Sequence, residues 1–118
     1  MRGMAISLER FSALVVASGL VESTAIAALQ NCFTGETARE FGDYLVANEA
    51  LTRWQADMIC EGKYKGFIFE GYKLLDHIGP QENTNRYRAM NLRDGKIVLL
   101  SVAQRSTDGK RAYTVEPE

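Results

Sequence analysis

The sequence predicts an α+β chain in which short N-terminal helices pack on a small antiparallel β-sheet, and three observations carry that prediction. Apolar residues recur at helical spacing as far as Cys60 and then give way to runs rich in β-branched and aromatic residues. The change falls in a glycine-rich stretch from Gly62 to Gly71. Beyond it, the pairs Asp94-Gly95 and Asp108-Gly109 separate the runs as hairpin turns would. The predicted organisation is a helical segment over 1–66 and a β meander over 67–118, together forming one compact domain.

The helices come first. Leu8, Phe11, Leu14 and Val15 recur at helical spacing, and Ser18-Gly19 supplies a stop. A second helix begins after Ser23, runs through Ile26 and Leu29 toward Cys32, and ends before the loop around Gly35. Thr37 followed by Glu40 has capping-box spacing, in which hydroxyl and carboxylate each accept from the other's backbone N–H; Phe41, Leu45 and Val46 then form an apolar stripe. Thr52 followed by Gln55 repeats the device, with Trp54, Met58 and Ile59 as the buried face and Gly62 as the stop.

The strands follow as GYKLLDHIG, TNRYRAMNL and KIVLLSVA, with a fourth, RAYTV, returning after Asp108-Gly109. Taking Asp94-Gly95 as a two-residue turn sets the register: Leu92 faces Ile97, Met90 faces Leu99, Arg88 faces Ser101 and Arg86 faces Ala103.

Bulk properties exclude several classes of function. A chain of 118 residues with 46% hydrophobic and 25% charged content can bury a core without metal or disulfide staples. The net charge of −1 argues against a general polyanion binder. From Thr84 onward there are seven Lys or Arg against four Asp or Glu, but that excess is spread along strands and turns, so no nucleic-acid partner is expected. Cys32 and Cys60 stand far apart with no CxxC or histidine partner, which points to buried thiols and to no metal. His77, the single histidine, alternates with Leu75 and belongs to no triad; an Asp76-His77 dyad would need a bulge to bring both onto one face. Apolar runs such as ALVVASGLV are too short to span a bilayer, and Arg2, Glu9 and Arg10 frame no signal peptide, so a cytoplasmic protein with no membrane partner is expected.

The stretch LTRWQADMICEGKYKGFIFEGYKLLDHIG, residues 51–79, resembles the lead-in to the kinase domain of planctomycete-type bacterial serine/threonine protein kinases, where an L-T-x-W-Q-A helix precedes the first strand of the small lobe. The resemblance extends over roughly residues 41–102, and it implies a glycine-rich loop of pattern G-x-G-x-x-G-x-V and a strand of pattern V-A-x-K. Aligned on Gly79, Tyr87, Ala89 and DGKIV, the second loop glycine becomes Gln81 and the third Thr84, so the backbone loses its close approach to phosphate. Ser101 stands where the lysine would pair with the phosphates. Leu99 replaces the small residue against the purine, and Arg86 the valine that covers it. Alternation places Ile78, Arg86, Leu99 and Ser101 on that one face. The H-R-D and D-F-G patterns of a large lobe do not occur in the sequence.

The resemblance therefore implies a truncated, degenerate kinase small lobe: no enzyme, no cofactor, no expected ATP binding, and a pseudokinase-like role through a protein partner or self-association. Tyr87, Val98, Leu100 and Val102, on the opposite face from Leu99, form the expected interaction face. Arg86 and Arg88 share the nucleotide-side face and could replace the lost lysine, which leaves residual ATP binding as the alternative.

Overall fold

Side-chain caps set where most of the helices start. In the computed structural model, which describes residues 6–104 and 112–117, Ser7 Oγ accepts from the Arg10 N–H at 3.0 Å and opens α1 (Leu8–Ala17). α2 (Ser23–Cys32) has Glu22 at its N-cap and no side-chain cap bond. α3 (Ala38–Ala47) and α4 (Arg53–Cys60) each begin with the complete capping box expected from Thr37/Glu40 and Thr52/Gln55. The two boxes differ in setting. Glu40 is exposed and uses a carboxylate, whereas Gln55 is 2% exposed and uses a neutral amide, whose Oε1 accepts from the Thr52 N–H at 2.9 Å. A charge at that buried site would carry a heavy desolvation penalty.

α1, α3 and α4 end on left-handed residues, whereas α2 runs into the extended Phe33 at φ −86°. Gly19 and Gly62 follow α1 and α4 with positive φ, as the sequence suggests. After α3 the same position is taken by Glu49 at φ 63°, and the Ala50 N–H reaches back to the Leu45 carbonyl at 2.8 Å in a Schellman arrangement. Phe11, Val15, Phe41, Leu45 and Ile59 are fully buried between the helices, with Phe11 set edge-on to Phe41 at 6.1 Å between ring centroids. α3 can approach α1 and α4 closely because Gly42 has no side chain: a Cβ there would lie 3.3 Å from the Phe11 ring and 3.7 Å from Ala56 Cβ. Phe67 closes this core edge-on to Trp54 at 5.3 Å.

By contacts the chain divides into two units, Met1–Phe67 and Ile68–Glu118. The second is a five-stranded antiparallel meander in sequential order, β1 (Ile68–Phe69), β2 (Tyr72–Gln81), β3 (Thr84–Asn91), β4 (Ile97–Ala103) and β5 (Tyr113–Pro117), so the chain is of the α+β class. β1 has no counterpart in the sequence reading. The fourth expected strand is β5, while Asp108-Gly109 lies outside the described residues.

The β3–β4 register differs from expectation by two residues: Met90 faces Ile97, Arg88 faces Leu99, Arg86 faces Ser101 and Thr84 faces Ala103. Asp94-Gly95 is not a two-residue turn. The closing pair is Asn91 and Lys96, whose N–H to carbonyl bond is 2.8 Å, and only Gly95 in the four-residue loop has positive φ. Asn91 Oδ1 accepts from the Arg93 N–H at 2.8 Å and Asp94 Oδ1 from the Lys96 N–H at 2.9 Å. These local side-chain bonds stabilise the wider loop. The tight two-residue turns fall instead at Glu70-Gly71, between the paired Phe69 and Tyr72, and at Glu82-Asn83, between the paired Gln81 and Thr84. A shift of two preserves the side-chain period, so the assignment of β3 and β4 residues to faces survives the error.

Candidate functional site

The cross-strand register assembles the expected nucleotide-side face into two rows. One runs Gly79, Arg86, Ser101, Thr114 across β2 to β5; the next runs Asp76, Arg88, Leu99, Glu116. Arg86, Leu99 and Ser101 thus share a face as alternation requires, and Thr84 lies on it as well. Ile78 does not join by simple alternation. It occupies one of two bulges in β2, where the ladder skips from His77 to Gly79, and it is 52% exposed.

One pair of charges on this face is matched. Arg88 Nη1 lies 2.8 Å from Asp76 Oδ2, which commits that guanidinium to a half-exposed ion pair. Arg86 sits directly between Gly79 and Ser101, with no acidic residue opposite. The Gly79–Thr84 segment, aligned with a glycine-rich loop only by resemblance, is zipped into the ladder: Gly79 faces Arg86, Pro80 faces Asn85 and Gln81 faces Thr84. A two-residue turn closed this tightly commits every second residue's backbone groups to the β2–β3 ladder, unlike an open glycine-rich loop whose N–H donors converge on an anion.

The opposite face is enclosed. Leu100 is 0% and Val102 5% exposed, so two of the four residues expected to form an interaction face have no surface to offer; Tyr87 and Val98 are half-buried. Leu74 and Ala89 are buried on the same face. The cause is curvature. Tyr113 of the last strand meets Phe69 of the first at 5.2 Å and Tyr72 of β2 at 6.4 Å between ring centroids, which requires the sheet to curl with this face inside. Bulges in β2 increase local twist and favour that curl.

His77 faces Tyr87, with ring centroids 5.1 Å apart, and its Nε2 lies 3.3 Å from Asn85 Oδ1. Asp76 points to the other face, toward Arg88; the bulges flank the Asp76-His77 pair without separating it, so the two form no dyad. Cys32 is exposed and Cys60 half-buried, which corrects the expectation of two buried thiols. α2 buries only Ile26 among its residues, leaving Cys32 at an open C-terminal end. Burial pushes the Cys60 thiol's pKa up and keeps it protonated. It lines a recess of about 320 Å³ with Ile6, Ala38, Arg39, Asp57 and Glu61. No group of three His, Cys, Asp or Glu among the described residues is placed to hold a metal ion. Among the same residues, no helix is long and apolar enough to cross a membrane.

One feature of the surface is absent from the sequence reading. A polar recess of about 480 Å³ is lined by Glu70, Tyr72, Asn91, Arg93 and Tyr113, among others. The signal was Glu70-Gly71, whose two-residue turn aligns Tyr72 with Asn91 and brings two turns to one end of the sheet; the Leu92 N–H donates to the Gly71 carbonyl at 2.9 Å. Comparisons with protein-family models, with curated proteins and with solved structures give no significant match to this chain.

Proposed function

We propose that the chain is a non-catalytic, kinase-derived module of the pseudokinase-fragment kind, which works in the cytoplasm through contact with protein. The resemblance of residues 51–79 to the kinase lead-in suggests the origin. The observation that carries the non-catalytic half of the reading is on β4. Ser101 puts a hydroxyl where phosphate binding would need an ammonium, and Arg86 faces it across the ladder beside a zipped Gly79–Thr84 turn. Leu99 on the same face adds bulk where a purine would lie.

Thermal unfolding in the presence of ATP and magnesium tests this directly. A nucleotide that binds the native state at a hundred times its Kd adds about 2.7 kcal/mol of stability. The midpoint is expected to stay fixed over the whole titration, with no phosphoryl transfer to a protein substrate.

The opposition of Arg86 to Ser101 favours one second reading, residual nucleotide binding with the guanidinium substituting for the lost lysine. In that case the midpoint would climb with nucleotide concentration, and Arg86→Ala would abolish the climb.

A further inference from the structure

The sheet has two outer edges, and they are built differently. β1 covers only the first residues of β2, and the rest of the β2 edge is interrupted by two bulges and by Pro80. Bulges and proline are the devices that discourage a further strand from adding. β5 carries no bulge: its five pairs with β4 run without a register shift, all five of its residues are exposed, and its one proline, Pro117, comes only at the last pair.

The phase of hydrogen bonding decides which groups of β5 remain available. The Ala103 N–H donates to the Ala112 carbonyl at 2.8 Å, which continues the β4–β5 register by one pair. Bonded pairs alternate in an antiparallel ladder, so Thr114 and Glu116 also turn their backbone groups toward β4, while Tyr113, Val115 and Pro117 turn theirs outward. Pro117 is a check on that phase, because its missing N–H falls on an outward position where no ladder bond is lost.

We propose that this edge is a self-pairing surface, at which a second copy of the chain lays its own β5 antiparallel across a two-fold axis at Thr114. This deepens the protein-contact reading and rests on it. Self-complementarity argues for a second copy as the occupant. About that axis Tyr113 of one copy opposes Val115 of the other, and all four outward N–H and C=O groups that these two residues supply per copy find partners. Thr114 meets its own copy, and Glu116 meets Ala112, so no like charges face each other. Pairing through one short edge buries less than a standard interface, so the association is concentration-dependent and reversible.

The test combines light scattering with amide hydrogen exchange on the full chain across a concentration series. The mass is expected to rise toward two chains, and the Tyr113 and Val115 amides to slow in step with it, while the Thr114 and Glu116 amides stay protected throughout. Val115→Pro removes an outward N–H and leaves the β4 ladder intact; it is expected to hold the mass at one chain with an unchanged circular dichroism spectrum. Should that variant fail to fold, Thr114→Lys decides, since it keeps every backbone group and sets two ammonium groups opposite each other on the axis; it too is expected to be monomeric at low salt. A wild-type mass of one chain up to about 1 mM, a dimer that persists in the folded variants, or a dimer whose Tyr113 and Val115 amides still exchange freely would each overturn the proposal. A monomer indifferent to ATP removes edge pairing alone, whereas a dimer stabilised by ATP removes the non-catalytic reading alone.

Discussion

The helical and strand units solve the same problem, holding a short chain segment in one place, by different means. In the helices the determinants are local: at α1, α3 and α4 a hydroxyl and the residue three positions later define the start, and one left-handed residue defines the end. In the sheet the determinants are pairwise, since a strand's partner residue depends on which turn closes the hairpin. The helices also hold the larger aromatic core. Phe41 touches Phe11, Phe33 and Tyr44 with ring centroids at 6.1, 4.9 and 6.2 Å, while the enclosed face of the sheet buries Leu74, Ala89, Leu100 and Val102. Local rules made the first unit readable residue by residue. Pairwise rules made the second readable only to within its period.

That contrast is sharpest in the cores. Phe41→Ala is expected to lose roughly 3–5 kcal/mol, because the ring is fully buried and each aromatic pair adds to the lost transfer and cavity terms. Leu100→Ala, also at a fully buried site but without ring partners, should lose less within the 2–5 kcal/mol range of such substitutions. Urea unfolding of both variants decides the order. A larger loss at Leu100 would mean that the curled sheet, and not the aromatic cluster, dominates the stability of the chain.

The capping boxes give the next largest effects, and their settings rank them. Thr37→Ala and Thr52→Ala each remove an acceptor, at about 1 kcal/mol apiece. Thr52→Ala should lose more, because the Gln55 N–H it abandons belongs to a buried residue. The boxes also differ in pH response. Hydrogen bonds from the Glu36 and Thr37 backbone N–H groups, then from the Thr37 hydroxyl, hold the Glu40 carboxyl below its usual range. A group whose folded pKa is depressed adds stability above its unfolded pKa and gives it up as pH falls through the folded value. Wild type is therefore expected to lose stability on acidification below the ordinary carboxylate range. Glu40→Gln, which keeps an acceptor but cannot titrate, should flatten that part of the curve. Because Glu40 is exposed, solvent keeps the effect small. Gln55 has no such dependence, so an unchanged acid slope in Glu40→Gln would place the titration elsewhere.

Most of the architecture was legible in the residues because its signals were short-range. The spacing Thr37 to Glu40 and Thr52 to Gln55 located two helix starts, and Gly19 and Gly62 located two ends. On the candidate face, alternation alone placed Arg86, Leu99 and Ser101 together. What failed depended on competition between alternative turns. Asp94-Gly95 has the stronger hairpin signature, yet Asn91 and Asp94 spend their side chains on backbone N–H groups and widen the loop to four residues. The bulge at Ile78 and the enclosure of Leu100 and Val102 come from twist and curl, which no periodicity of a single strand encodes.

The smallest effect probes a device that the two units share. Glu49 at φ 63° ends α3 and Glu70 at φ 51° opens the β1–β2 turn, each in a left-handed conformation that glycine adopts freely and other residues resist. Glu49→Gly and Glu70→Gly remove that strain but also give the unfolded chain more freedom to lose, so the net gain should be only about 0.5 kcal/mol in either unit. Differential scanning calorimetry of the two variants can resolve the difference. A gain at Glu49 alone would show that the helix end is closed by backbone conformation, as its Schellman bonds suggest, while the hairpin draws its stability from strand pairing. Equal gains would mean that a turn in the sheet is as locally determined as a helix cap, and that its register was in principle as readable.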